Sequence, residues 1–329
     1  MSSLSKLQVT SNSLLNWVFQ DKDGTIKGKP SFVLDMFSNH LEAVYEKLPE
    51  TKHKSKISLL RFDKKDYEKK ELRFILEISE EISKSKIFSS FLIHGSCADL
   101  CLVPGWSDFD AIGILKTSSL SRENRTQTFE TCQKIDKMMR CLDPYQHHGI
   151  HFIHEKEMNS FPNLYLPVNL LKGAKCLLGN PSIELAKVDS LEREMLRFRG
   201  IVKTLKNASD SGILKHHAKD GKYLLENYKD LEAMYQLKYF LCVIMLLPVL
   251  WFNLKGDYCR KEDSYEMIRK YFSPSQLEVL EKASQVRASW KSKYFKGNTI
   301  PSEVRNMLGM DYLVRGAKFA KMLEVNLDA

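Results

Sequence analysis

Two short apolar runs, Phe91-Leu92-Ile93 and Phe109 to Leu115, constrain the fold of this chain more than any other feature. His94-Gly95-Ser96 closes the first, and Asp108-Phe109-Asp110 opens the second, with Asp108 twelve residues after Ser96. Apolar runs of this length bounded by breaking residues predict a pair of buried strands. Side chains two apart on a strand share a face, so Asp108 and Asp110 are expected to project together beside the Gly-Ser turn. Two carboxylates held that way suit a hard divalent cation such as Mg²⁺, which keeps its remaining positions for water and substrate phosphates. Gly95 has no side chain to keep backbone N–H groups from a triphosphate, and Ser96 adds a hydroxyl donor.

The turn, its spacing and the segment Trp106-Ser107-Asp108-Phe109-Asp110-Ala111-Ile112 resemble the nucleotidyltransferases of the polymerase-beta type. The resemblance implies an α+β fold, a small mixed-sheet nucleotidyltransferase domain followed by a helical-bundle domain. It also implies transfer of a nucleoside monophosphate, AMP as first guess, from ATP or another nucleoside triphosphate to an acceptor hydroxyl, with Mg²⁺ as cofactor and release of pyrophosphate. Asp108 and Asp110 are then the catalytic metal ligands, and Gly95 and Ser96 cradle phosphate oxygens.

Further along, Leu250-Trp251-Phe252-Asn253-Leu254-Lys255-Gly256, then Arg260-Lys261 and Ala283 to Arg287, are similar to the aminoglycoside adenylyltransferases and related two-domain enzymes. In those relatives the helix after the glycine turn starts with a Ser-Lys pair whose lysine meets the triphosphate. Lys261 takes that position here, and Arg260 replaces the serine. An ammonium beside the departing pyrophosphate stabilises charge that grows in the transition state. Arg287 and Trp290 would border the nucleotide if the helical domain covers it.

Two-metal phosphoryl transfer also calls for a third acidic group on a neighbouring strand. Matching the third expected strand to the family pattern puts that carboxylate near His148 or Gly149, within Gln146-His147-His148-Gly149-Ile150-His151. Histidine titrates near neutral pH and serves as a base, so His148 is the candidate catalytic base; it does not replace a bridging carboxylate. A zinc site is disfavoured, because strand alternation sets His147 and His151 on one side and His148 and His154 on the other. Trp106 either stacks on an incoming base or seals the loop at Pro104-Gly105.

Composition excludes several classes. At 329 residues, 43% hydrophobic and 28% charged, the chain is long enough for one large core or two smaller ones. Seven cysteines without CxxC pairs indicate neither a zinc knuckle nor a disulfide framework, and fit a reducing cytoplasm. Met1 to Asn16 lacks the features of a secretory signal. The most apolar stretch, Tyr239 to Phe252, is about fourteen residues with Pro248 inside it, short of the ~20 that a bilayer requires, so a buried helix with a proline kink is expected and no membrane partner. A net charge of +9 and a pI near 9.0 suit a polyanionic partner, although the lysines are spread along the chain.

Residues 1–68 read as an N-terminal helical extension with Pro49 to Lys70 looping outward, residues 69–181 as the catalytic domain, and residues 182–329 as a helical domain closing the nucleotide cleft. Two other functions stay open. One is a catalytically weakened nucleotide-binding or regulatory protein of a toxin-antitoxin or defence system; the other is an RNA-tailing or RNA-binding protein. The acceptor, whether small molecule, protein or RNA, is not specified by these residues.

Overall fold

The apolar run Phe91-Leu92-Ile93 lies in a strand, Phe88–His94, and the rest of the first unit is built around it. The computed structural model describes residues 54–121, 123–140, 150–160, 171, 173–186, 191–214, 232–257, 259–291 and 299–327. The chain is mixed α/β, with a small mixed sheet and several helices, and divides into two compact units: residues 1–102 with 107–188, and residues 103–106 with 189–329.

In the first unit, β1 (Lys54–Ser58), β2 (Leu60–Arg61), α1 (Arg73–Lys84), β3 (Phe88–His94), α2 (Gly95–Ala98), β4 (Asp110–Leu115), α3 (Arg125–Arg140), β5 (His151–His154), β6 (Lys175–Leu178) and β7 (Ser182–Ala186) follow in order. Five strands make one sheet in the order β2-β6-β3-β4-β5, and β1 pairs antiparallel with β7 in a second, two-stranded ribbon. β3 runs antiparallel to β4 and β6, while β5 is parallel to β4 and β2 parallel to β6.

Both faces of the sheet are covered, which is why its central strands read as continuous apolar runs. Phe91 and Ile93 join one core with Ile75, Ile78 and Ile82 of α1 and Phe129, Cys132 and Ile135 of α3. Leu92, Ile112, Ile114 and Ile153 join the other, with Leu171, Ala174 and Ile183. The three isoleucines of α1 recur at helical spacing and are fully buried, each contributing about 2–3 kcal/mol of burial free energy. Gly113 is required by packing: a Cβ there would lie 2.9 to 3.2 Å from the rings of Phe88, Phe152 and Phe91.

The sequence reading needs correction at this unit's margins. Lys54 to Tyr67 does not loop outward: β1 and β2 pair with β7 and β6, and Tyr67 is fully buried. Ser182 to Ala186 is the strand β7, so the region after Ser182 is not wholly helical. The helical extension expected at the N-terminus lies, up to residue 53, outside the described residues.

The described elements of the second unit are helices: α4 (Leu191–Ser211), α5 (Glu232–Leu254), α6 (Ser264–Ile268), α7 (Pro274–Ala288), α8 (Ser302–Leu308) and α9 (Tyr312–Val325). α4 lies along α9, and α5 touches α4, α7 and α9. Within α5 the segment Gln236–Leu254 is long and apolar enough to cross a membrane, and most of it is buried inside the unit. Pro248 lies inside this helix. The segment from Lys261 to Phe272, whose apolar spacing predicts one helix, is an α-helix over Ser264–Ile268.

Candidate functional site

The candidate turn owes its shape to three backbone features. His94 is extended and Gly95 has φ +64°, which begins the four-residue helix α2. Glycine adopts that left-handed conformation without the penalty a side chain brings. The helix closes with Asp99 N–H donating to the Gly95 carbonyl at 3.0 Å and Cys101 N–H donating to the Ser96 carbonyl at 3.0 Å. Leu100, at φ 60°, supplies the left-handed residue of this C-terminal closure, a position usually taken by glycine.

The turn meets the acidic strand directly. His94 pairs with Asp110 in the antiparallel β3–β4 register, and a Cβ on Gly95 would stand 2.6 Å from Oδ2 of Asp110. Phe109 is 2% exposed and packs edge-on against Phe74, with ring centroids 5.9 Å apart. Asp108 and Asp110, on either side of it, are partly exposed. β4 starts at Asp110, so Asp108 sits on the approach to the strand rather than inside it. Burying the aromatic between them keeps the two carboxylates out of the core.

Cys97 lies beneath this pair. Its thiol Sγ is 3.9 Å from the Asp108 carbonyl oxygen. Burial pushes the thiol well above its ordinary range, and the charges of Asp110 and Asp108 push it further, partly offset by a hydrogen bond with the Ser96 side chain.

His148 lies outside the described residues. Of the neighbouring histidines, His151 stands in β5 opposite Ile112 of β4, which places it on the same sheet face as Asp110. The strand alternation that sets His151 apart from His154 is seen in Phe152 and Ile153, which enter opposite cores. His154 is buried, with its pKa lowered to about 4, chiefly by that burial. Its Nδ1 accepts the Lys156 N–H at 3.2 Å, which a neutral imidazole can do and a doubly protonated one cannot. His154 is thus a neutral structural side chain.

Lys261 belongs to the second unit. It is exposed in the turn before α6, and its carbonyl accepts the Ser264 hydroxyl at 2.7 Å. Arg260 forms an ion pair with Asp263, Nε to Oδ2 at 2.7 Å, and Arg287 one with Glu262 at 3.4 Å. Trp106 is 5% exposed and Trp290 6%; the two rings meet edge to face at 4.8 Å. That packing takes up Trp106 and leaves no open face for a base. Residues Gly95, Ser96, Asp108 and Asp110 are thereby gathered in the first unit, with Lys261 in the other.

No protein-family model matches the chain, and no curated protein matches it in sequence.

Proposed function

We propose that this chain is a metal-dependent nucleotidyltransferase, built as a sheet domain followed by a helical domain and working in the cytoplasm. The observation that carries the reading is the approach of Asp110 to Gly95: a glycine turn is packed against one of two partly exposed carboxylates that flank a buried phenylalanine. A close-packed turn of this kind is what a triphosphate and its cation require of the backbone.

Asp108 and Asp110 would hold Mg²⁺, and two partly exposed carboxylates on either side of a buried ring fit that ion. When bound, the ion supplies neutralisation of phosphate charge and lowers the pKa of an attacking hydroxyl. The residues of the chain do the rest. Ser96 and the backbone of the turn orient the triphosphate, and His148 is the proposed acceptor of the hydroxyl proton. The acceptor oxygen forms a bond to the α-phosphorus of the nucleoside triphosphate as the bond to pyrophosphate breaks. Lys261 is the residue that the family resemblance assigns to the charge on that leaving group.

A second reading is favoured by one specific feature. From Ile150 to His154 the strand parallel to β4 has no acidic residue, so the third carboxylate of rapid two-metal transfer has no counterpart there. This supports a protein that binds nucleotide and transfers it slowly or not at all.

The test is an assay with each of four labelled triphosphates and Mg²⁺, offering small hydroxyl acceptors, protein and RNA, with D108N/D110N as control. Label transfer that the double variant loses supports the transferase. Metal-dependent nucleotide binding without transfer supports the binding protein, and salt-sensitive RNA binding without nucleotide binding would replace both.

A further inference from the structure

We infer that Tyr67 is the positioning residue of the candidate phosphate turn, acting through the carbonyl of Cys97; the inference rests on the nucleotide-binding reading of that turn. The phenol is fully buried and donates its hydrogen to the Cys97 carbonyl oxygen at 3.1 Å. Thirty residues separate the two.

The turn needs such an anchor. Four residues are far fewer than a helix requires to hold itself, and the carbonyls of its last turn lack helical partners. Cys101 N–H, which continued helix would give to Cys97, goes to Ser96 instead. The Tyr67 hydroxyl supplies a donor at Cys97, the residue whose thiol also lies against the Asp108 backbone. One phenol therefore fixes the segment that begins with Gly95, packed against Asp110 of the carboxylate strand.

The anchor is itself tethered. Tyr67 ends the 3-10 turn Lys64–Tyr67, whose first residues are capped by Asp63, Oδ1 accepting the Lys65 N–H at 3.0 Å. Lys175 of β6 is 7% exposed; its ammonium meets Asp66 Oδ2 at 3.0 Å and lies 5.0 Å from the centre of the Tyr67 ring. Lys175 also pairs with Ile93 of β3, the strand that runs into the turn. Burial drives the phenol pKa upward, so the hydroxyl remains a donor across the pH range in which proteins work.

Tyr67→Phe removes one oxygen and leaves the ring. The control is Thr128→Val, which deletes another buried hydroxyl of the same unit, bonded to the Ser119 carbonyl at 2.7 Å, away from the turn. We expect Tyr67→Phe to weaken Mg²⁺-dependent ATP binding, read by calorimetry at a temperature where each protein is folded, by about five- to tenfold, with Thr128→Val unchanged. Hydrogen exchange at the Asp99 and Cys101 amides should speed up by a similar factor in Tyr67→Phe alone. If the parent binds ATP and Tyr67→Phe binds it equally well, the inference is overturned. If the parent binds no nucleotide, the transferase reading fails, and exchange decides the rest: unchanged protection of the two amides overturns the anchor, and lost protection upholds it. Lys175→Met, which frees the 3-10 turn from β6, should reproduce the exchange effect should Tyr67→Phe not fold; unchanged protection in it overturns the anchor equally.

Discussion

Trp290 donates its indole N–H to the Gly105 carbonyl at 2.8 Å, joining residues 185 positions apart in sequence. The bond and the edge-to-face contact with Trp106 hold Val103–Trp106 within the helical unit. Trp290→Phe keeps most of the ring packing and loses the hydrogen bond, leaving a carbonyl without that donor. A destabilisation of about 1–2 kcal/mol is expected, read as a lower urea midpoint; Trp290→Ala should cost about 3–5 kcal/mol by adding a cavity.

Gly95→Ala tests the packing of the turn against Asp110 while leaving both carboxylates in the sequence. The methyl group would sit at φ +64°, 2.6 Å from Asp110 Oδ2, so either the turn or the aspartate must move. Left-handed strain alone is about 1–2 kcal/mol. Thermal unfolding should show a loss of that order, and Mg²⁺-dependent nucleotide binding should fall at least tenfold in the folded variant. Binding at the parent level would dissociate the turn from nucleotide.

Leu100→Gly should have the opposite sign. Leu100 carries a side chain at φ 60° and is 37% exposed, so relief of the conformational penalty is partly offset by the packing of its covered surface. A gain of up to about 1 kcal/mol is expected, measured by chemical denaturation.

Stability should depend on pH through His154. Its folded pKa of about 4 lies below the unfolded value near 6.5, so the unfolded chain binds the extra proton between those values. The stabilisation is complete above about pH 6.5, declines as pH falls toward 4, and changes no further below that. Its full size is about 3 kcal/mol. Urea midpoints measured from pH 4 to 7.5 should fall less steeply for His154→Gln than for the parent; parallel curves would remove His154 as the cause.

Asp108→Asn and Asp110→Asn should each leave the unfolding midpoint within about 1 kcal/mol, since both side chains are partly exposed, while lowering any nucleotidyl transfer about a hundredfold or more. Chelation of divalent ions should abolish the same activity reversibly. Transfer that survives both changes would move the chemistry elsewhere.

The central strands were legible because their chemistry is local. Phe91-Leu92-Ile93 feeds both cores and is followed by a glycine turn, so the strand's centre and end follow from the residues themselves. The turn beside Asp108 and Asp110 was legible for the same reason. β1 was not: Lys54-Ser55-Lys56-Ile57-Ser58 belongs to a two-stranded ribbon with exposed residues such as Lys56 and Ser58, and its partner is far off in sequence. Tyr67 is one aromatic in a lysine-rich stretch, and nothing next to it announces a bond to Cys97. Lys238 within α5 reads as a surface charge and is only 2% exposed. Sequence patterning reports burial by neighbours along the chain; these residues are buried by distant ones.

Lys54 faces Ala186 in the ribbon, and Leu60 faces Lys175 at the edge of the larger sheet. A chain made from its N-terminus therefore carries β1 and β2 without partners until β6 and β7 have been synthesised. Closing loops of that size is slow, so assembly of this unit belongs after translation of its last strand. Because Tyr67 follows directly on β2, the anchor of the turn docks at the same moment. A ribosome-bound fragment ending before β6 would hold Gly95, Ser96, Asp108 and Asp110 in its sequence and still have no finished turn to offer a nucleotide.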